Sequence, residues 1–217
     1  MQDISKSVAI LGSGVVGRAL AAGFIDAGYF VEIGTRNPDK PELDQIKAKG
    51  ARTASYADAA ASAAILVVAT PWEGTREMIS LAGESCFAGK LVLDATNPLD
   101  FSAGPLPKSA VAFPGSGGAE IQAWLPEARV VKVFNTITSG KMVNPEYVEG
   151  TPVMFICGEV AAAKDTAREI LIELGWTDVV DLGGIANAWM LEALAFLWIS
   201  YGFANNSWTH AFALLRK

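Results

Sequence analysis

The chain reads as an α/β protein: a doubly wound, mainly parallel sheet followed by a short α/β extension that ends in apolar helices. Short apolar runs alternate with stretches of helical length along most of the sequence, and strands alternating with helices build a parallel sheet. One run, Ile65-Leu-Val-Val-Ala69, is apolar at every position, as suits a strand covered on both faces.

Val8-Ala-Ile-Leu11 supplies the first strand, and Gly14 to Ala27 the first helix, stopped by Gly28 at a left-handed cap position. Phe30 to Gly34 is the second strand. A polar helix from about Pro41 to Lys49 and a short Ala-rich helix, Ala57 to Ala64, lead into the run at Ile65. A helix near Glu73 to Ala82, a strand Lys90 to Ala95, a short strand Ala110 to Phe113, a helix Gly118 to Leu125 and a strand Val130 to Phe134 follow. Past Pro145 come a strand Val153 to Cys157, a helix Ala161 to Leu174, a strand Asp178 to Leu182, and one or two closing apolar helices from Ile185. No repeat or low-complexity linker divides the chain. We therefore expect a main domain over residues 1–145 and an extension over 146–217 packed on it.

Composition narrows the function. At 217 residues with 18% charged and a mean hydropathy of +0.30, the chain has the makings of a well-buried globular core. Its net charge of −6 and the lack of a Lys/Arg stripe argue against nucleic acid as a partner. Cys86 and Cys157 have neither metal-ligand nor dithiol spacing, so they read as buried free thiols of a reducing compartment, and no metal site is expected. Met1 to Ser7 is polar and carries no export signal, which points to a cytoplasmic protein. Ile185 to Ala204 is long and apolar enough to suggest a membrane span, but Asn187, Glu192 and the absence of basic flanks favour a buried helix or a subunit interface.

Between the first strand and helix stands Gly12-Ser13-Gly14-Val15-Val16-Gly17, a G-x-G-x-x-G in the context that gives it meaning. Gly12 permits the tight turn, Gly14 lets a pyrophosphate approach the backbone, and Gly17 lets helix and strand pack closely. The free N–H groups at the helix start hold the phosphates. This is the dinucleotide fingerprint of a Rossmann-type fold.

The end of the second strand reads Gly34-Thr35-Arg36-Asn37-Pro38-Asp39-Lys40. Thr35 can donate to a 2′-phosphate, Arg36 can pair with it and stack on adenine, and Lys40 adds a second cation, with Asn37 in the same loop. The corner therefore suits NADP(H). Glu32 is spaced like the acid of an NAD enzyme, but alternation with Val31 and Ile33 puts it mid-strand. Two more strand ends, Thr70-Pro71-Trp72 and the Asn97 loop, should face the cofactor, and Asn135-Thr136-Ile137-Thr138 should lie at the nicotinamide.

The usual proton-transfer groups of dehydrogenases are absent. None of Tyr29, Tyr56, Tyr147 and Tyr201 has a lysine four positions on, and the single histidine, His210, is read as a surface or packing residue, not a general base, on a C-terminal helix with Phe212 and Leu214. The tail is too short for the helical domain of a hydroxyacid dehydrogenase or a pyrroline carboxylate reductase. No catalytic residue is assigned. What remains is hydride transfer governed by ring stacking, as between a nicotinamide and a flavin or deazaflavin. Gly115-Ser-Gly-Gly118 has two readings, an acceptor-pocket lining of N–H groups or a helix start capped by Ser116.

In order along the chain, Ala9-Ile-Leu-Gly-Ser-Gly-Val-Val-Gly17, Gly34-Thr-Arg-Asn-Pro38, Thr70-Pro-Trp72, Asp94-Ala-Thr-Asn-Pro98, Lys132-Val-Phe-Asn-Thr-Ile137 and Leu191-Glu-Ala-Leu-Ala-Phe-Leu-Trp198 together resemble the NADP oxidoreductases dependent on coenzyme F-420 (F420) and the cytosolic reductase domain of the STEAP metalloreductases. The resemblance implies NADP(H) on the fingerprint loop, on Thr35, Arg36 and Lys40, and on the Thr70 and Asn97 loops. It also implies a homodimer and an extension that takes part in dimerisation and in the acceptor site. Asn135 stands where the archaeal deazaflavin enzymes carry a histidine. The acceptor is therefore open among coenzyme F420, FMN, FAD and something else. Two rival expectations are a non-catalytic NADP(H) sensor, which needs no room beside Asn135 and Ile137, and a reductase of a small carbonyl compound.

Overall fold

A computed structural model of the protein describes residues 6–216. Most of the polar opening Met1 to Ser7, read above for export, lies outside them. Ten strands form in chain order: β1 (Ser7–Leu11), β2 (Phe30–Gly34), β3 (Arg52–Ala54), β4 (Ile65–Val68), β5 (Leu91–Asp94), β6 (Leu99–Asp100), β7 (Lys108–Ser109), β8 (Arg129–Lys132), β9 (Val153–Gly158) and β10 (Asp178–Asp181). The helices are α1 (Val15–Asp26), α2 (Asp44–Lys49), α3 (Tyr56–Ser62), α4 (Trp72–Ala82), α5 (Gly117–Trp124), α6 (Ala161–Glu173) and α7 (Ala188–Asn205).

Eight strands make one sheet in the order β10-β9-β8-β5-β4-β1-β2-β3, parallel except where β9 runs against β8. That exception follows from the connection: only a 3₁₀ turn at Ser139–Lys141 lies between the two strands, and a parallel neighbour would need a crossover. Successive residues point to opposite faces, which sorts the strands into two cores. Val8, Ile10, Ile33, Val67, Leu93 and Val131 pack with α1, α2 and α6 on one side. Ala9, Leu11, Leu66, Val68, Val92 and Val130 pack with α3, α4, α5 and α7 on the other. This is the expected Rossmann-type architecture, and β9 and β10 of the extension complete the same sheet.

Local chemistry sets the element ends. Gly28 closes α1 at φ 84°, its N–H bonding Ile25 O and the Tyr29 N–H bonding Phe24 O at 2.9 Å. The Tyr29 and Phe24 rings then meet edge to face, 5.1 Å between centroids, completing a Schellman stop with its apolar contact. Ser55 caps α3 through the Asp58 N–H and Ser116 caps α5 through the Ala119 N–H.

Three expectations are corrected and one strand is added. Ala110 to Phe113 is not a strand: β8 fills the place beside β5, and the preceding residues pair as the β6–β7 hairpin. β3 was not foreseen. The chain closes on one helix, α7, and His210 lies beyond it in irregular structure, stacked on Trp198 at 4.6 Å with ring nitrogens facing Ser207 O and Trp198 O. Cys157 is buried, but Cys86 is partly exposed. Among the described residues no helix is long and apolar enough to cross a membrane.

Inside the second core lies an ionic cluster. Lys132, fully buried, holds Asp94 Oδ2 at 2.9 Å, Glu192 Oε1 at 2.9 Å and the Thr96 carbonyl at 2.6 Å. Glu192 also accepts from the Gly117 and Gly118 N–H groups at the start of α5, 3.0 Å each, and Asp94 accepts from the Thr96 N–H and hydroxyl. One cation between two carboxylates leaves a negative excess, which the N–H groups of α5 meet. Burial disfavours the charged lysine, but Asp94 and Glu192 outweigh it and hold its pKa above the usual lysine range.

Removing one member strands the others. Lys132→Met should cost about 3–5 kcal/mol in denaturant unfolding, because two buried carboxylates lose their partner. Because the folded pKa of Lys132 is raised, its contribution stands at neutral pH and goes only as pH climbs through that value. Cys157, pushed up by burial from 9.0 to about 12, acts on the same side. Its unfolded thiol ionises first, so stability should fall above about pH 9, and Cys157→Ala should flatten that part of the slope.

Candidate functional site

β1 has β2 on one side and β4 on the other, so the chain leaves these neighbours for opposite faces and a crevice opens at their carboxyl ends. Gly12 sits at its base at φ 134°, where a Cβ would meet the Ala69 carbonyl at 2.3 Å. Gly17 touches nothing but protein: a Cβ there would stand 1.9 Å from Gly12 O. Gly14 is the opposite case, with no atom within 4 Å of an added Cβ. It presents bare backbone to open space at the start of α1.

Three chambers that share wall residues run along this edge. The first, about 400 Å³, is walled by Gly12, Ser13, Gly14, Arg36, Tyr56, Thr70 and Pro71, and by Glu73, Gly74, Glu77, Met78 and Leu81 of α4. The second, about 350 Å³, shares Gly14, Ala69, Thr70, Pro71 and Glu73 with it and adds Val15, Val16, Trp72, Thr96 and Asn97. The third, about 320 Å³, shares Asn97, Leu99 and Phe101 with the second and ends among Asn135, Ile137, Ala195, Trp198, Ile199, Phe203 and Trp208.

Twelve of the sequence-predicted binding residues therefore face the chambers: Gly12, Ser13, Gly14, Val15, Val16, Arg36, Thr70, Pro71, Trp72, Asn97, Asn135 and Ile137. Gly17, Thr35, Asn37, Lys40, Thr136 and Thr138 wall none of the three. Thr35 is buried and braces the fingerprint turn, its hydroxyl 2.9 Å from that of Ser13. Lys40 reaches the Ser13 carbonyl at 3.4 Å, and Arg18 reaches the same oxygen at 2.8 Å. Arg18 was missed from sequence, although a cation one residue past the last fingerprint glycine was legible. Arg36 stands over the first chamber, 3.7 Å from Glu77, with both side chains largely exposed and the pair correspondingly weak. Burial raises the Tyr56 phenol above its ordinary pKa despite nearby Arg36. Glu32 is turned away from the crevice, bonded to Ser62 at 2.5 Å and near Arg52.

The far chamber is built differently. Phe134, two residues past the end of β8, is buried at φ 64°, a left-handed conformation that bulky residues avoid and that only a surrounding packed core sustains. It turns the chain so that Asn135 meets Asn97. Asn97 Nδ2 donates to the Asn135 carbonyl at 2.8 Å, while Asn135 Nδ2 donates to Leu191 O at 2.9 Å and to Asn97 Oδ1 at 3.0 Å. The Gly115–Gly118 loop does not join this lining: its free N–H groups are taken by Glu192 and its serine caps α5, so the second reading holds. Trp72, stacked on Trp124 at 5.4 Å, closes the middle chamber. Among the described residues no cluster of His, Cys, Asp and Glu is placed to hold a metal.

Comparison with known proteins sets this geometry in a family. Residues 7–98 match the family model for NADP oxidoreductase, coenzyme F420-dependent. The chain is 30% identical over 196 residues to the metalloreductase STEAP3 of Rattus norvegicus, covering 88% of itself but only 36% of that protein. It is 28% identical over 219 residues to the F420-dependent NADP reductase of Methanothermobacter marburgensis, covering 91% of itself and 93% of that enzyme. A crystal structure of a candidate F420-dependent NADP reductase from Arthrobacter sp. FB24 superposes with a TM-score of 0.92 at 37% identity, over 96% of this chain and 99% of the other.

The two glycines separate fold from binding. Gly14→Ala should leave the thermal unfolding midpoint unchanged yet weaken dinucleotide binding at least about 10-fold, since its methyl enters the open floor of the crevice. Gly17→Ala should instead cost roughly 1–3 kcal/mol of stability, because backbone must move to admit it.

Proposed function

The chain belongs to the family of coenzyme F420-dependent NADP oxidoreductases, and from that premise we propose that it moves a hydride between NADP(H) and a flavin or deazaflavin acceptor. The observation that carries this reading is the row of three chambers, each sharing wall residues with the next. An elongated dinucleotide has room along the first two, and an uncharged, aromatic-walled space begins where they end. A sensor of NADP(H) would need no such space beside Asn135 and Ile137.

In this reading the α1 N-terminus and the bare backbone of Gly12 to Gly14 receive the pyrophosphate, with Val15, Val16 and Gly17 continuing the turn into the helix. Arg36, Lys40 and Asn37 meet the 2′-phosphate, and Thr35 serves by holding Ser13 in place. Thr70, Pro71, Trp72 and Asn97 wall the nicotinamide half, with Asn135, Thr136, Ile137 and Thr138 at its far end. NADPH supplies, from C4 of its dihydronicotinamide, the two electrons and one hydrogen that the acceptor ring takes, the ring's second hydrogen coming from solvent as a proton. The residues orient and exclude water; none has to exchange a proton.

The division at 145/146 carries a functional split in the same proposal. The extension provides α7, whose Ala195, Trp198, Ile199 and Phe203 wall the acceptor chamber. Its outward Met190, Leu197 and Tyr201, exposed and spaced along one helix face, suit a homodimer. The acidic net charge supports a small-molecule partner rather than nucleic acid.

Purified protein should oxidise NADPH with at least one of riboflavin, FMN, FAD and coenzyme F420, and NADH much more slowly. NADPH binding without turnover on any of them would favour the sensor. Arg36→Ala should weaken NADPH binding by about 1.5–3 kcal/mol and NADH binding far less. Equal losses would remove the 2′-phosphate assignment.

A further inference from the structure

Two cations converge on one backbone oxygen. The Ser13 carbonyl, within the fingerprint turn, accepts from Arg18 Nη1 at 2.8 Å and from Lys40 Nζ at 3.4 Å. A carbonyl has two lone pairs, so both donors can be met, but the short contact is the strong one. The side chain of the same residue is tied to the end of β2. Its hydroxyl stands 2.9 Å from that of Thr35, which also accepts from the Asn37 N–H at 3.4 Å. Ser13 is buried, and through it the start of α1 is joined to the corner that follows β2.

Neither cation stands where the dinucleotide would lie, since Arg18 and Lys40 wall none of the three chambers. Their situations differ. Lys40 is carried on the loop after β2 by a flexible stem, and its contact is long, so its ammonium is free to swing to a phosphate beside Arg36. The Ser13 carbonyl then loses a donor, and a buried acceptor left without one costs free energy. Arg18 sits in the first turn of α1, where the helix dipole disfavours a cation and no acidic residue stands in the same turn to balance it. Its planar fork is turned back instead onto the Ser13 carbonyl, in a charge-assisted bond that does not depend on Lys40.

Resting on the NADP(H) reading above, we infer that Arg18 is a positioning residue for cofactor selection: it holds the Ser13 carbonyl alone once Lys40 turns to the 2′-phosphate, and so releases Lys40 to tell NADP(H) from NAD(H). Arg18 itself touches neither nucleotide. Without it, Lys40 is the sole cation on Ser13 and cannot serve the turn and the phosphate together. NADH makes no such demand on Lys40, so the loss falls on NADPH.

The test is a fluorescence titration of the full chain with NADPH and with NADH, read as the ratio of the two dissociation constants, for the unaltered protein, Arg18→Met, Lys40→Met and the double variant. Lys40→Met should lower the preference for NADPH about 5-fold or more while NADH binding stays within about 2-fold. Arg18→Met should lower the preference by a similar factor, and the double variant should fall no further than about 2-fold below either single one, because both changes remove the same contact to the phosphate. Loss of both nucleotides alike in Arg18→Met overturns the inference, since a residue that only supports the turn, or that touches the pyrophosphate, would give that result. An unchanged preference overturns it, as do losses that multiply in the double variant. If Arg18→Met does not fold, Lys40→Met decides: NADH binding and the thermal midpoint held supports Arg18 as sufficient on Ser13, and NADH weakened in step with NADPH overturns it. A preference lost in Arg36→Ala but kept in Arg18→Met sinks this inference and leaves the 2′-phosphate reading standing. No preference for NADPH in the unaltered protein removes both.

Discussion

The buried ion cluster of Asp94, Lys132 and Glu192 is the constraint on which the site depends. Its three members come from β5, β8 and α7, and Glu192 reaches the start of α5 as well. Taking three charges out of water is costly, and the cost is met only while every partner is in place. That all-or-none condition fixes the carboxyl ends of β5 and β8 against the C-terminal helix. Two short paths lead from it to the chambers. Lys132 bonds the Thr96 carbonyl, one residue before Asn97. Glu192 follows Leu191, whose carbonyl fixes the Asn135 amide. A cluster that faces no chamber thus sets the floor on which two rings would meet.

This division of labour fits chemistry done by placement. Of the groups that commonly serve dehydrogenases as proton donors, none walls the outer chamber: His210 has both ring nitrogens against backbone carbonyls, and Tyr56 walls the first chamber alone. What the chambers do offer is bare backbone at one end, a cation beside a tyrosine, and aromatic and apolar walls at the other end with two amides. Stacking two rings in reach of one another requires rigidity more than proton transfer. Rigidity is what the strained Phe134 turn and the locked amides provide.

Much of this was legible in the sequence because the governing signals are local. Strands covered on both faces must be apolar throughout, and the fingerprint glycines are dictated by contacts a few residues away, as Gly17 against Gly12 illustrates. Misplaced features depend on distant partners. Ala110 to Phe113 has strand chemistry, but its place in the sheet belongs to β8. The Thr35 hydroxyl was legible, while its burial against Ser13 is a tertiary fact. Lys132 lies 38 residues from Asp94 and has no pattern to betray the pair. Glu192 left a trace as the acid in an otherwise apolar helix, whose partner only the fold reveals. Glu73, Glu77 and Leu81 follow helical spacing and could have been assigned to one face of α4, though not to the crevice.

The central claim is direct hydride transfer between a nicotinamide in the middle chamber and a flavin-class ring in the outer one. It is tested most directly with NADPH deuterated at C4, each epimer in turn, and a 5-deazaflavin acceptor, whose C5 hydrogen does not exchange with water. The account predicts that deuterium from one epimer alone appears at C5 of the reduced ring, because a nicotinamide held in the middle chamber turns one face toward the outer one, which shares Asn97, Leu99 and Phe101 with it. Hydrogen from solvent at C5, or label from both epimers alike, would contradict it.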